Sequence, residues 1–143
     1  MPRYQTFREF WPFYVFQHLK AGNRVLHFIG TSIVLGLSGH WLWVASILMW
    51  SSFGRFWLGI VTLTHFFLML LGGYGFAWAG HYFVEKNKPA TFQYPLWSLM
   101  GDFKMYRLMW QRKMIQEVYD MKVHKYVREH SGLMDEFNRK ECP

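Results

Sequence analysis

Seven histidines stand in a chain of 143 residues, and five of them, His18, His27, His40, His65 and His81, lie in or beside stretches almost free of charge. An ionisable side chain in an apolar span is costly and marks a functional candidate by default. His81 and Glu85 are four residues apart. At about 100° per residue they share one helix face. Such a pair can hold a metal ion, or the carboxylate can fix the imidazole tautomer. It can also pair with Lys86 or Lys88 at a lipid boundary. His18 and His27 flank Gly22-Asn23, where a turn would let both face inward. Two or three imidazoles with a carboxylate and no thiolate suit Fe(II), Zn or Mn. With open positions they make the pattern of non-haem iron oxygenases. Zinc hydrolysis uses similar ligands, so spacing alone leaves the metal open. His65 reads as a buried histidine hydrogen-bonded near Thr62 or Thr64, and His124 and His130 as solvated.

The elements that must position these groups are set by where charge is missing. From Val25 to Val84 the only formal charge is Arg55, and no acid occurs. A soluble domain would carry charge on the outer face of every helix, so these sixty residues read as lipid-facing. Val25–Trp50 and Phe56–Val84 flank the break Ser51-Ser52-Phe53-Gly54-Arg55. Each exceeds the roughly 20 residues a crossing needs. Breaks at Gly36 and Gly39, and at Gly72, Gly73 and Gly75, would instead make four shorter helices. The favoured reading is a two-helix membrane hairpin. It brings His18, His27, His81 and Glu85 to one depth, with His40 nearer the opposite side. Basic residues flank the hairpin, which puts both termini on the cytoplasmic side. The membrane is then a bacterial inner membrane, or the endoplasmic reticulum in a eukaryote.

The flanks follow from local signals. Thr6-Phe7-Arg8-Glu9 has the capping-box pattern of a helix start, and the aromatics after it suit a membrane–water interface. Pro12 argues for a kink or a late start. Asn23 reads as the cap of the first membrane helix. The prolines at 89 and 95 mark a loop. From about Ser98 to His130, Phe103, Tyr106, Trp110, Met114, Val118 and Met121 recur at helical steps, with Lys104, Arg107, Arg112 and Lys113 on other faces. This predicts one basic amphipathic helix, either lying on an anionic lipid surface or packed on the membrane part. The expected fold is all-α: a single membrane-embedded domain over 1–130, with an interfacial N-terminal helix, and a charged tail over 131–143.

A net charge of +7 would also fit a nucleic-acid binder. Here the bases flank apolar spans and no recognition motif is present, so nucleic acid is excluded as a partner and an anionic lipid bilayer takes its place. One cysteine, Cys142, excludes a disulfide framework and a thiolate zinc site. A rival, non-catalytic reading is a small membrane scaffold or lipid-binding protein whose histidines are structural.

Several blocks carry a resemblance. Phe10-Trp11-Pro12-Phe13-Tyr14, His18, Asn23-Arg24 and Leu26-His27-Phe28-Ile29-Gly30-Thr31 are similar to the fungal 2-hydroxy fatty acid dioxygenases and their bacterial relatives. So are Gly73 through His81, Phe83 through Phe92, Tyr94-Pro95, Ser98-Leu99 and Gly101-Asp102. The run from Gly80-His81 to Pro89-Ala90 is the most specific. The resemblance implies Fe(II) held by histidines and fatty-acid α-oxidation, in which a long-chain 2-hydroxy fatty acid and O2 give the acid one carbon shorter and CO2. It carries over His18, His27 and His81 as metal ligands and Glu85 as a further candidate. Asn23, Lys86 and Lys88 are the candidates for contact with the substrate.

Overall fold

The described residues are 4–50 and 52–125 of a computed structural model, and all of their regular structure is helical. In chain order these are α1 (Phe7–Phe16), α2 (Ala21–Leu48) and α3 (Ser52–Ala79), which continues into a π-helical stretch, Gly80–Glu85. A 3-10 turn, Ala90–Phe92, α4 (Pro95–Trp110) and α5 (114–125) follow.

The apolar stretches fold as α2 and α3 because nothing in them stops a helix. Both run on through their glycines, so the hairpin has two long helices and not four. At 28 residues each, they are about 42 Å long, more than the roughly 30 Å hydrocarbon core. Both are long and apolar enough to cross a membrane. Their outer faces present Leu42, Trp43, Phe56, Leu63 and Leu71 to the surroundings. The helices approach closely where they cross. A methyl on Gly30 would lie 3.1 Å from the Gly72 carbonyl, and one on Gly72 2.8 Å from Ile33 Cγ2. Small residues at a crossing are how helices pack when lipid removes the hydrophobic drive to associate. Farther along, His65 Nδ1 faces the Val61 carbonyl at 2.8 Å, which leaves its Nε2 to accept from His40 Nδ1 at 2.8 Å. His65 is buried and bonded as expected, but its side-chain partner is His40; Thr62 bonds Leu58 and Trp41 instead.

The other helices pack on one end of the hairpin. Thr6 caps α1, accepting from the Glu9 N–H at 3.3 Å, while Glu9 reaches back to the Gln5 N–H at 3.1 Å. The helix passes through Pro12, losing there one backbone bond that other contacts offset. Several of its aromatics pack inward. Phe10, Trp11 and Tyr14 are buried with Val15, Met105, Met114 and Val118 in the core that joins α1 to α4 and α5. Trp11 Nε1 donates to Glu117 at 2.6 Å, and Lys104 lies 3.9 Å above the Trp11 ring.

Two expectations fail here for backbone reasons. The single helix over Ser98–His130 is two helices, because Arg112 turns left-handed, φ 58°. The N–H of Lys113 then bonds the Leu108 carbonyl and that of Arg112 the Met109 carbonyl, a Schellman closure with arginine where glycine is usual. The buried face of α4 is Ser98, Gly101 and Met105, while Phe103 and Trp110 are exposed. Second, Asn23 does not cap α2. The helix begins at Ala21 with Lys20 as its cap residue, which puts Asn23 inside the first turn. Residues 126–130, with His130, and the tail 131–143 with Cys142 lie outside the described residues.

Candidate metal centre

Three stretches of chain meet at this end of the hairpin. His18 sits in the turn between α1 and α2, His27 in the second turn of α2, and His81 in the π-helical stretch. All are buried, at 1%, 5% and 2% exposure. The π-helix closes its backbone hydrogen bonds one residue farther along than an α-helix, a distortion often found at functional sites. It ends at Lys86, whose backbone is left-handed at φ 63°. Two glycines make room. A methyl on Gly80 would overlap the Asn23 amide, and one on Gly101 would lie 2.6 Å from the Tyr14 ring. The turn that carries His18 is tied down on both sides. Arg24 donates to the carbonyls of His18 at 2.9 Å and Leu19 at 2.6 Å. Lys20 donates its N–H to Glu85 and its Nζ to the Val84 carbonyl, both at 2.6 Å.

Each imidazole has an acceptor at Nδ1. His18 Nδ1 faces the Tyr14 carbonyl at 2.7 Å, and His27 Nδ1 the Asp102 carboxylate at 2.9 Å. His81 Nδ1 faces Asn87 Oδ1 at 2.7 Å. The Asn87 amide is oriented by its own Nδ2, which donates to the Gln17 carbonyl at 3.1 Å and Gln17 Oε1 at 2.6 Å. All three acceptors are oxygens without a proton to offer, so each Nδ1 carries the hydrogen and each Nε2 keeps its lone pair. Orientation of a histidine through its second nitrogen is the usual surrounding of a metal ligand.

The free nitrogens converge. His18 Nε2 and His27 Nε2 are 3.1 Å apart, and donor atoms of all three histidines lie within 4.8 Å of one another. Two lone pairs that close repel unless a cation lies between them. Nitrogens about 2.1 Å from one ion span about 3.0–3.4 Å at octahedral to tetrahedral angles, and the observed separation falls inside that range. That pair therefore fits a divalent ion, and His81 completes a trio that could hold one.

Burial tunes the surroundings in the same direction. It pushes the His18 imidazole well below its usual range, with the neighbouring His27 and His81 adding to the effect. His18 is then neutral, as a ligand must be. Burial, followed by the charge of Asp102, pushes the Tyr14 phenol well above its usual range, so it stays a donor. Its hydroxyl donates to the same Asp102 oxygen that accepts from His27, and its ring stacks on His18 at 4.1 Å between centroids.

The structure thus brings His18, His27 and His81 together and leaves the other sequence candidates apart. Glu85 accepts from the Lys20 N–H and is absent from the donor cluster. Asn23 is wholly buried against Gly80, with Nδ2 3.4 Å from the Gln17 carbonyl and Oδ1 without a partner among the described residues. Lys86 and Lys88 are exposed. Sequence reasoning gave no role to Asp102, Asn87, Tyr14 or Gln17. One signal was available for Asp102, the only acid between Glu85 and Glu117. His27 and Asp102 also line a cavity of about 260 Å³ between α2, α3 and α4.

Among known families, the model described as 2-hydroxy-palmitic acid dioxygenase Mpo1-like matches residues 4–114. No curated protein and no solved structure matches the chain.

Proposed function

Because the chain belongs to the 2-hydroxy-palmitic acid dioxygenase Mpo1-like family, we propose that it is an Fe(II)-dependent membrane dioxygenase. It takes a long-chain 2-hydroxy fatty acid and O2 to the acid one carbon shorter, CO2 and water. Atoms and electrons balance without an outside reductant: breaking the C1–C2 bond releases C1 as CO2, C2 becomes the new carboxyl, and O2 takes up the electrons. The observation that carries this reading is the trio of buried imidazoles with one ligand atom of each within 4.8 Å of the others, each Nδ1 facing an oxygen acceptor.

When bound, Fe(II) supplies a centre for chelation by the hydroxyl and carboxylate of the acid and the redox chemistry that activates O2. The chain's own residues hold and shield that centre. His18, His27 and His81 are the ligands. Asp102 and Tyr14 keep the hydrogen of His27 on Nδ1, and Gln17 does the same for His81 through Asn87. Burial keeps bulk water from the donors. Glu85 acts from outside the ligand set, by holding the turn that carries His18. The two long helices cross the bilayer with both termini on the cytoplasmic side, near which the basic residues of α4 and α5 gather.

The purified protein should contain iron and consume O2 when given 2-hydroxypalmitate, and His81→Ala should lose both. Full activity in that variant would refute the assignment. A lipid-binding scaffold would purify without stoichiometric iron and take up no O2.

A further inference from the structure

The cavity beside His27 extends well beyond what an ion and O2 would occupy. On α3 its wall is built by Phe66, Leu70, Gly73 and Ala77, at steps of four, three and four residues, which is one helix face; Phe66 and Leu70 are also partly exposed, so the cavity opens to the surroundings there. From Ala77 to Phe66 this stripe runs about 16 Å at 1.5 Å per residue, about half of the roughly 30 Å hydrocarbon core and so the depth of one leaflet. The ionic end is His27 with Asp102, and no Lys, Arg or Glu lines any of it.

We propose that this cavity seats a single acyl chain, its carboxyl end at His27 and Asp102 and its methyl end at Met69 and Phe66, admitted sideways from the bilayer. A polar ligand of that length would leave its own groups unpaired along the stripe, at a cost an acyl chain does not incur. One narrow stripe suits one chain with a compact head; its lining holds a carboxylate and no Lys or Arg, so the ion held by the triad, not a protein cation, would receive an acidic head. The side entrance follows from α4. Leu96, Leu99, Met100 and Phe103, at i, i+3, i+4 and i+7, are exposed, and Leu99 and Phe103 also line the cavity. The wall between cavity and surroundings is therefore apolar on both of its sides, as a passage for lipid requires.

The position of the head rests on reading the triad as the reaction site; the position of the tail does not. The test is photolabelling of the full chain in nanodiscs by two palmitate probes, with a diazirine near the carboxyl or near the methyl end. The first should label around Thr31 and Ala77, the second between Phe66 and Leu70, and excess palmitate should compete with both. Reversed order, or label confined without competition to the outward residues Leu63, Phe67 and Leu71, would overturn the proposal. Leu70→Trp should weaken capture of a palmitate probe by about tenfold or more while sparing an octanoate probe, because only the longer chain passes residue 70. Leu71→Trp, on the outward face, should change neither. Equal capture of palmitate by Leu70→Trp and wild type would also overturn it. Labelling needs no turnover, so ordered labelling in a protein without O2 uptake sinks the oxygenase reading alone, and O2 uptake with disordered labelling sinks this one alone.

Discussion

Asp102 is the residue whose replacement separates charge from hydrogen bonding at the centre. One of its oxygens accepts from both His27 Nδ1 and the buried Tyr14 hydroxyl. In Asp102→Asn an amide oxygen can still accept both bonds, so geometry survives and only the negative charge is lost. Removing a carboxylate that supports a ligand histidine costs about 10–100-fold in metal affinity, which is about 1.4–2.7 kcal/mol. In Asp102→Ala both donors lose their acceptor. Each buried unsatisfied group costs about 1–3 kcal/mol, so the metal-free fold should lose about 2–6 kcal/mol in addition to the affinity. Chelator competition would give the affinity, and urea unfolding of metal-free protein in mild detergent the stability. The expected order is graded: Asn weakens metal binding with near-native stability, and Ala damages both. Wild-type metal affinity in Asp102→Ala would refute the idea that this carboxylate orients His27.

Two further outcomes are expected. Gly80→Ala places a methyl against Asn23; overpacking of this kind costs about 1–3 kcal/mol, and the displaced π-helix should carry His81 away from its partners, read as a lower melting temperature together with weaker metal binding. Metal-free protein should lose stability on acidification. Burial holds the folded His18 pKa below the 6.5 of an unperturbed histidine, so between the two values the unfolded chain binds a proton that the folded chain refuses. Stability is then complete above about pH 6.5 and falls as pH drops toward the folded value, by at most about 1.4 kcal/mol per pH unit. Melting temperatures at about pH 7.5 and about pH 5.5 check this; a flat or rising profile on acidification would contradict it.

The hairpin was legible because absence of charge over sixty residues is a property of composition, which no tertiary contact has to complete. His18, His27 and His81 were legible because topology returns both ends of a hairpin to one depth. Their orienting partners were hidden, since Asp102 reaches His27 across 75 positions and the Gln17–Asn87 bond spans 70; neither pair leaves a periodic trace. The pairing of His81 with Glu85 assumed α-helical pitch. The wider π turn changes how residues align along that segment, and the Lys20 N–H takes the Glu85 carboxylate. The break at Arg112 was equally invisible, because arginine carries no preference for the left-handed backbone it adopts there.

The bond between His40 and His65 has a mechanical meaning. At an aqueous surface water would compete for it; in hydrocarbon nothing does, so breaking it strands two polar rings. A piston stroke of α3 along α2 by one turn, about 5.4 Å, would do that. In a hydrocarbon setting the pair would act as a register pin between the two rods, some thirteen residues of α2 away from His27, and would oppose the sliding that lets His27 and His81 drift out of step.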